Sequence, residues 1–517
     1  MNTKVTNTSL LIDLLVVGAI LIIVVTLFMH FGFNGGMAKD NGIFAYSGQQ
    51  MSEGIPPYIS SFDQKAPMCS LLSGIGVIIA RSFGWDDIRS IRVLFFILGC
   101  LTCVGLYFLG KQLFESRRAG FLASLILPSY VYYTEQALSG PRGKLPVVLF
   151  EVFWLWVASR KQWFMAGLFA GLCIMTWQPS VFIPLITLFL AFVSDRENRW
   201  KSLLQAAAGI ALPAVVILSY FAYHGALWAV YDRAVIFPLY FGDRFDLSLY
   251  QHILRPVASL VIGYPMAFQS IIVGLVMCVY FYFWRINHNQ SLIKTFTSDK
   301  FAPLLLAFPL FAMLILYDLQ GPSDYFIMIP YSVIGFAGLL HFVLSYLQEK
   351  SKTTWAKIGT EVVFLGLAFA VAFTALWSIH LTRNNRLEGQ ISDAKAIEER
   401  YGKDAKIMSI GRPDVLAFLK RRNPNPYTYV LMGIDRHIAA KWPGGFEGWL
   451  RDIEEYDPDV IVKGNMDGPY IPRLMEWLET NYHYDKVGQY EVYAKHKVKE
   501  NKGQDSVSVS AEGTDSK

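Results

Sequence analysis

A short polar segment near the N-terminus concentrates the side chains that could do chemistry. It opens with Lys39-Asp40-Asn41-Gly42 and closes with Phe62-Asp63-Gln64-Lys65-Ala66-Pro67. A carboxylate within hydrogen-bond reach of a hydroxyl can take its proton while a new bond forms. Asp40 suits that task, since it follows the first apolar run behind a Gly-rich stretch. An anionic group that gains charge needs cations or hydrogen-bond donors. Lys65, Arg89, Arg92, Arg142, Lys144, Arg233, Arg244 and Tyr325 all fall on the same expected face of the membrane as Asp40. An Arg can clasp phosphate through two contacts, whereas a Lys acts as a point charge. Each residue also has a purely structural alternative. Asp40 could cap a helix over Asn41–Glu53, and Asp63 with Lys65 could form a surface ion pair of little energy. Arg89 and Arg92 could snorkel, Arg142 and Lys144 could anchor an interface, and Tyr325 could sit in an aromatic belt. Glu135 could be a solvated acid at a helix end.

Other chemistries find little support. No GxGxxG or GxxxxGK[ST] run is present. Asp457-Pro458-Asp459 is an Asp-x-Asp pair, but its proline before a strand-like run favours a turn. His224, His252 and His380 lack metal-ligand spacing, so no protein-held metal or other cofactor is expected to be required, and a divalent ion is left open. Cys69, Cys100, Cys103, Cys173 and Cys278 lie in apolar stretches and read as buried thiols.

The elements that must position these side chains belong to a membrane. Of 517 residues, 53% are hydrophobic and 17% charged, with mean hydropathy +0.35. A soluble domain carries about 25% charged residues. The composition excludes a disordered chain, a disulfide scaffold and most soluble enzymes, and the net charge of +5 gives no reason to expect nucleic acid. Runs of roughly 20 apolar residues mark spans. Candidates begin near Leu10, Ile88, Ala119, Leu145, Phe164, Val181, Ser202, Val257, Phe301, Phe326 and Ile358. One further apolar run, Ala66 to Phe83, decides the topology. If it does not cross, the basic clusters Lys111/Arg117/Arg118, Arg160/Lys161, Arg196/Arg199/Lys201, Arg285/Lys294/Lys300 and Lys350/Lys352/Lys357 all share the side of the N-terminus. The positive-inside rule favours that choice. The expected architecture is thus an α-helical polytopic membrane protein of about eleven spans plus an in-plane helix. Its N-terminus is cytoplasmic, and four loops face outward: Phe31–Lys65, Glu135–Lys144, His224–Arg255 and Asp318–Tyr325.

Residues 1–380 form this membrane module, and 381–499 read as an external soluble α/β domain followed by a disordered polar tail over 500–517. Strand-like runs are Lys406–Ile410, Tyr427–Ile434, Val460–Val462 and Tyr490–Ala494, and helix-like runs are Pro413–Arg421, Phe446–Tyr456 and Ile471–Tyr482.

An acidic residue just after the first span, then Tyr46…Gly54-Ile55-Pro56-Pro57-Tyr58, then Asp63-Gln64-Lys65-Ala66-Pro67, resembles the pattern of the GT-C membrane glycosyltransferases. It is most similar to the dolichyl-phosphate-mannose protein mannosyltransferases and the bacterial aminoarabinose transferases. Arg89-Ser90-Ile91-Arg92, Tyr132-Tyr133-Thr134-Glu135, the stretch Trp163 to Trp177 and Gly321-Pro322-Ser323-Asp324-Tyr325 follow in matching order, over about residues 10 to 380. The family often has His before the Tyr of the late loop, where this chain has Asp324. The resemblance implies an inverting transfer of one sugar from a polyprenyl-phosphate carrier to an envelope acceptor (a lipid glycan, a polysaccharide or a protein) outside a bacterial or archaeal plasma membrane. It implies catalytic roles for Asp40 and Glu135, and substrate binding by Tyr58, Asp63, Lys65, Arg89, Arg92, Arg142, Lys144 and Tyr325. The rival reading is a transporter of lipid or solute; neither an inverted repeat nor a mid-span ionisable residue is evident to support it.

Overall fold

The computed structural model describes residues 7–194, 197–242, 248–317, 319, 321–350 and 353–495. Arg196, Arg244, Lys352 and the tail over 500–517 lie outside the described residues. The protein is an integral membrane protein built of apolar helices, with a small sheet near the C-terminus.

The chain opens with α1 (Asn7–Phe31), α2 (Lys39–Ser52), α3 (Met68–Phe83) and α4 (Asp87–Phe114). Ion pairs define two ends of the bundle. At one end Asp13 of α1 pairs with Lys111 and Arg117, Lys300 meets Glu115, and Arg118 meets Glu361. At the other end Asp87, opening α4, accepts Gln49 Nε2 of α2 at 3.2 Å. With 28 residues, α4 is about 42 Å long and runs from one end to the other. Helix α3 does not make that passage. Its 16 residues give about 24 Å, less than the ~30 Å of a hydrocarbon core. Its last turn stays at the Asp40 end, where Arg81 reaches Glu53 at 3.3 Å and Asp87 at 3.5 Å. Its first residue, Met68, donates its amide to Met175 O at 3.1 Å.

Among the described residues six helices are long and apolar enough to span, or seven if one bent pair counts as a span. The expected eleven are therefore not eleven full-length helices. Leu145–Ala158 and Trp163–Ile174 have 14 and 12 residues. The run from Ala119 is broken into Arg117–Ile126, a 3-10 turn at Leu127-Pro128-Ser129 and Val131–Ser139; Pro128 removes an amide from the ladder, and the chain leaves helical geometry at Tyr130, with φ −81° and ψ 75°. The run placed at Val257 is two helices, Leu249–Gly263 and Phe268–Asn289. Tyr264, directly before Pro265, leaves helical geometry between them at φ −136°, ψ 53°.

Past the long helix Thr354–Thr382 the chain forms the helix Arg386–Tyr401 and strands β1 (Ile407–Ile410), β2 (Val460–Lys463), β3 (Tyr482–Val487) and β4 (Tyr490–Lys495). The sheet order is β1-β2-β4-β3, with β1 parallel to β2 and the other pairs antiparallel. The run Tyr427–Ile434 is not a strand. Its carbonyls serve other partners: Thr428 O accepts Gly411 N at 2.7 Å and Val430 O accepts Asp467 N at 3.3 Å. Met432 (φ 57°) and Gly433 (φ 89°) then turn the chain into the helix Ile434–Lys441. Asp457 takes φ 58° as a helix C-cap, so Asp457-Pro458-Asp459 forms a turn, and both acids pair with Lys495.

Candidate active site

Helix α2 carries Asp40 in its first turn, where the partial positive charge of a helix start favours an anion. Its N-cap is Ala38, with no side-chain cap; Asp40 lies inside the helix and does not cap it. The helix ends at Gly54, whose φ of +85° favours glycine. The helix is buried from Asn41 to Gln50. A Cβ on Gly42 would come within 2.6 Å of the Asp414 amide nitrogen, and one on Gly48 within 2.7 Å of the Ser73 carbonyl carbon. One glycine thus admits the helix Pro413–Leu419, the other admits α3.

Three loops converge on Asp40. Lys65 Nζ lies 2.8 Å and Arg142 Nη1 3.0 Å from its Oδ2. The opposite edge of Arg142 donates to Ser323 Oγ at 3.1 Å. Next to it Lys144 pairs with Asp324 and lies 4.8 Å from the centre of the Trp177 ring. Asp324 in turn accepts Gly321 N at 2.9 Å. An acid at position 324 thus has a physical reason in this chain, since it faces a lysine. Tyr58 OH donates to Lys65 O at 2.6 Å and Asp63 Oδ1 accepts Lys65 N at 3.0 Å, so both fix the lysine's backbone. Gly143 lets the second loop lie against the Phe44 ring and the Lys65 stem.

The electrostatics follow from this crowding of cations. Burial acts to raise the Asp40 pKa, but Lys65, Arg142 and Lys39 together outweigh it and hold the carboxyl well below the usual carboxylate range. Asp63 shows the opposite balance: burial prevails over Lys65 and pushes its pKa up to about 7. Burial also raises Glu135, with Arg386 and Arg142 opposing. Glu135 therefore shares the field of Arg142.

Not every candidate joins this cluster. Arg89 is exposed in the first turn of α4, its amide held by Asp86 Oδ1 at 2.8 Å. Arg92 is fully buried and donates Nη1 to Phe33 O, just past the end of α1. Tyr325 is buried with its ring edge-on to Tyr264. Arg233 lies over the Phe62 ring at 5.4 Å, with Nε and Nη1 buried and unpaired. Ser323, Trp177 and Lys39, which lies 4.9 Å from the Tyr429 ring centre, belong to the site without having stood out in sequence. Lys39 had a signal in its adjacency to Asp40, and Ser323 and Trp177 lie in stretches that carry the resemblance, though no role was read for them. The expectation of no ionisable residue in mid-span is overturned by Glu151. It is fully buried within Leu145–Ala158 and accepts Tyr331 OH at 2.8 Å.

The family model described as dolichyl-phosphate-mannose-protein mannosyltransferase matches residues 64–223, a stretch that contains Lys65, Glu135, Arg142 and Lys144. No curated protein matches the chain in sequence. Among solved structures it is similar to ArnT from Cupriavidus metallidurans in the apo state, with TM-score 0.59 and 12% identity over 93% of this chain and 97% of that one. The same protein bound to undecaprenyl phosphate gives 0.57 at 12% identity, with the same coverage. The Archaeoglobus fulgidus oligosaccharyltransferase tethered with an acceptor peptide gives 0.52 at 14% identity, over 93% of this chain and 74% of that one. The protein has the GT-C fold of these membrane glycosyltransferases.

Proposed function

We propose that the protein is a glycosyltransferase that moves a sugar, with inversion, from a polyprenyl-phosphate carrier to a lipid glycan, polysaccharide or protein of the envelope, at the outer membrane face. The observation that carries the reading is the Asp40 carboxylate gripped by Lys65 and Arg142, each from a different loop. Structural neighbours bind undecaprenyl phosphate and an acceptor peptide, in line with this chemistry.

In the donor-free protein the two cations make Asp40 a weak base. A carrier phosphate is an alternative partner for both of them. Once it draws them away, burial, the largest influence on Asp40, is less opposed, and the carboxyl rises toward the range where it accepts a proton well. The acceptor hydroxyl then attacks the anomeric carbon as Asp40 takes its proton. The carbon–oxygen bond to phosphate breaks, and Lys65 and Arg142 stabilise the charge left on the lipid phosphate. Glu135, in the same field, is a second acid for orienting the acceptor. Asp63 and Tyr58 hold Lys65, and Lys144 with Asp324 braces the far side.

The test is consumption of substrate. Purified protein is given sugar-loaded undecaprenyl phosphates together with envelope extract from a deletion strain as the acceptor pool. Release of undecaprenyl phosphate with labelling of one acceptor class is expected. Intact donor, with solute or lipid moved across a vesicle membrane instead, would establish the transporter reading.

A further inference from the structure

We propose that Gln390, on the first helix after the membrane module, is a positioning residue that fixes the Asp40 carboxylate from outside the bundle. This rests on the reading of Asp40 as the base. The link between α1 and α2 is Gly32-Phe33-Asn34-Gly35-Gly36-Met37-Ala38. Ordering a backbone costs roughly 1–2 kcal/mol per residue, and glycine loses the most freedom. The start of α2 has no local device to offset this, because Ala38 provides no capping oxygen. Beyond Arg92 at Phe33 O, the order comes from sequence about 350 residues away. Gln390 accepts Met37 N on Oε1 at 2.7 Å and donates Nε2 to Met37 O at 3.0 Å. Asn384 Oδ1 accepts Gly36 N at 2.9 Å, and Leu387 N donates to Asn34 O at 3.1 Å. Gln390 is 8% exposed, so water does not readily replace it.

A side-chain amide meets a peptide N–H and C=O together from one planar group without any change of protonation. Leu offers neither bond, and an ionised Glu sets an acceptor against the Met37 carbonyl. On the other flank of Asp40, Gly42 lies against the backbone of Asp414. The carboxylate therefore sits between two fixed points, residues 37 and 42, and both are set by the C-terminal unit. The phosphate-facing cations do not depend on this clamp, because Lys65 and Arg142 come from other segments.

The experiment compares Gln390→Leu, Asp40→Asn and the double variant on full-length protein, using the sugar-loaded undecaprenyl phosphate that the wild type consumes. A misplacement of about 1 Å can cost ~10²-fold. Gln390→Leu is expected to lower kcat at least ~10-fold while the donor KM stays within about threefold. In the Asp40→Asn background it should add almost nothing, because the two act through one group. A purely structural role would lower yield or melting temperature and leave kcat per folded molecule unchanged; that result overturns the inference. If Gln390→Leu does not fold, Asn384→Ala and Gly42→Ala probe the same clamp from either flank, and unchanged kcat in both overturns it equally. Near-normal transfer by Asp40→Asn refutes the base itself, and this inference with it. A large loss by Asp40→Asn beside normal transfer by Gln390→Leu refutes the inference alone.

Discussion

Asp40 and Asp63 lie near the same lysine, and their pKa values move in opposite directions from the usual one. Asp40→Asn keeps the size and most of the hydrogen bonding of the side chain but loses the proton acceptor. Transfer should fall roughly 10²–10⁴-fold. Undecaprenyl phosphate should bind as well or better, because Lys65 and Arg142 lose a competitor; single-turnover transfer and carrier affinity on the same variant check this. Near-normal transfer would move the search to Glu135. Asp63 holds its proton in the folded protein up to about pH 7, whereas an unfolded Asp releases it near 4. Between those values the native state binds more protons, so this carboxyl's contribution to stability falls as pH rises through that window and is level above it. Melting curves in detergent at pH 5 and pH 8 should show wild type losing stability relative to Asp63→Asn as pH rises. A constant difference would show that Asp63 does not titrate there. Within the site, Asp40, Asp63 and Lys65 were readable together because one short polar segment of the sequence carries all three. Ser323 and Trp177 were not, since nothing in a lone Ser or Trp says that a distant arginine or lysine will meet it.

At the scale of elements, close approach between helices explains much that hydropathy alone could not. The helices Phe268–Asn289 and Ile329–Lys350 cross where a Cβ on Gly335 would run into the backbone of Gly274, and one on Gly274 into Ser332. Gly335→Ala is expected to cost about 1–3 kcal/mol through overpacking, seen as a lower melting temperature; an unchanged melting curve would mean the crossing is looser than drawn. The apolar runs themselves were legible, and their interruptions were partly so. Pro128 and Pro265 mark breaks that a window average passes over. The run Tyr427–Ile434 alternates like a strand, yet its backbone bonds go to Gly411 and Asp467. Strand propensity there reflects burial of Tyr427, Tyr429 and Val430 and not sheet pairing. Helix α2 was readable as a helix, but its polar sequence concealed that both its faces are packed.

At the scale of the molecule, the two ends set by ion pairs have different characters. One gathers Lys111, Arg117, Arg118 and Lys300 around the start of α1. The other gathers Asp40, the three loops around it and the unit that contains the sheet. Which end faces the cytoplasm is a matter of charge: short basic loops stay inside, so we expect the Asp40 end outside. We expect the sheet unit to act there as a brace and partner surface, not as a second active centre. Asp457→Asn or Asp459→Asn should therefore leave turnover within about twofold in a folded protein, since Asp457 pairs with Lys495, and Asp459 with Lys495 and the Lys406 amide, all within the sheet unit. Abolished transfer in either would put the chemistry in that unit. Sidedness is tested by single cysteines and an impermeant thiol reagent on intact cells. The native thiols are all buried, so they give little background. Position 115 suits the basic end, because the Glu115 side chain is 82% exposed, and Lys403 suits the sheet unit, being exposed in a turn. Labelling at 403 without labelling at 115 is expected, with both reacting once the cells are opened. Labelling at 115 and not at 403 would invert the protein in the membrane, and would set Asp40 and its cations facing the cytoplasm, where a nucleotide sugar could replace the lipid carrier as donor.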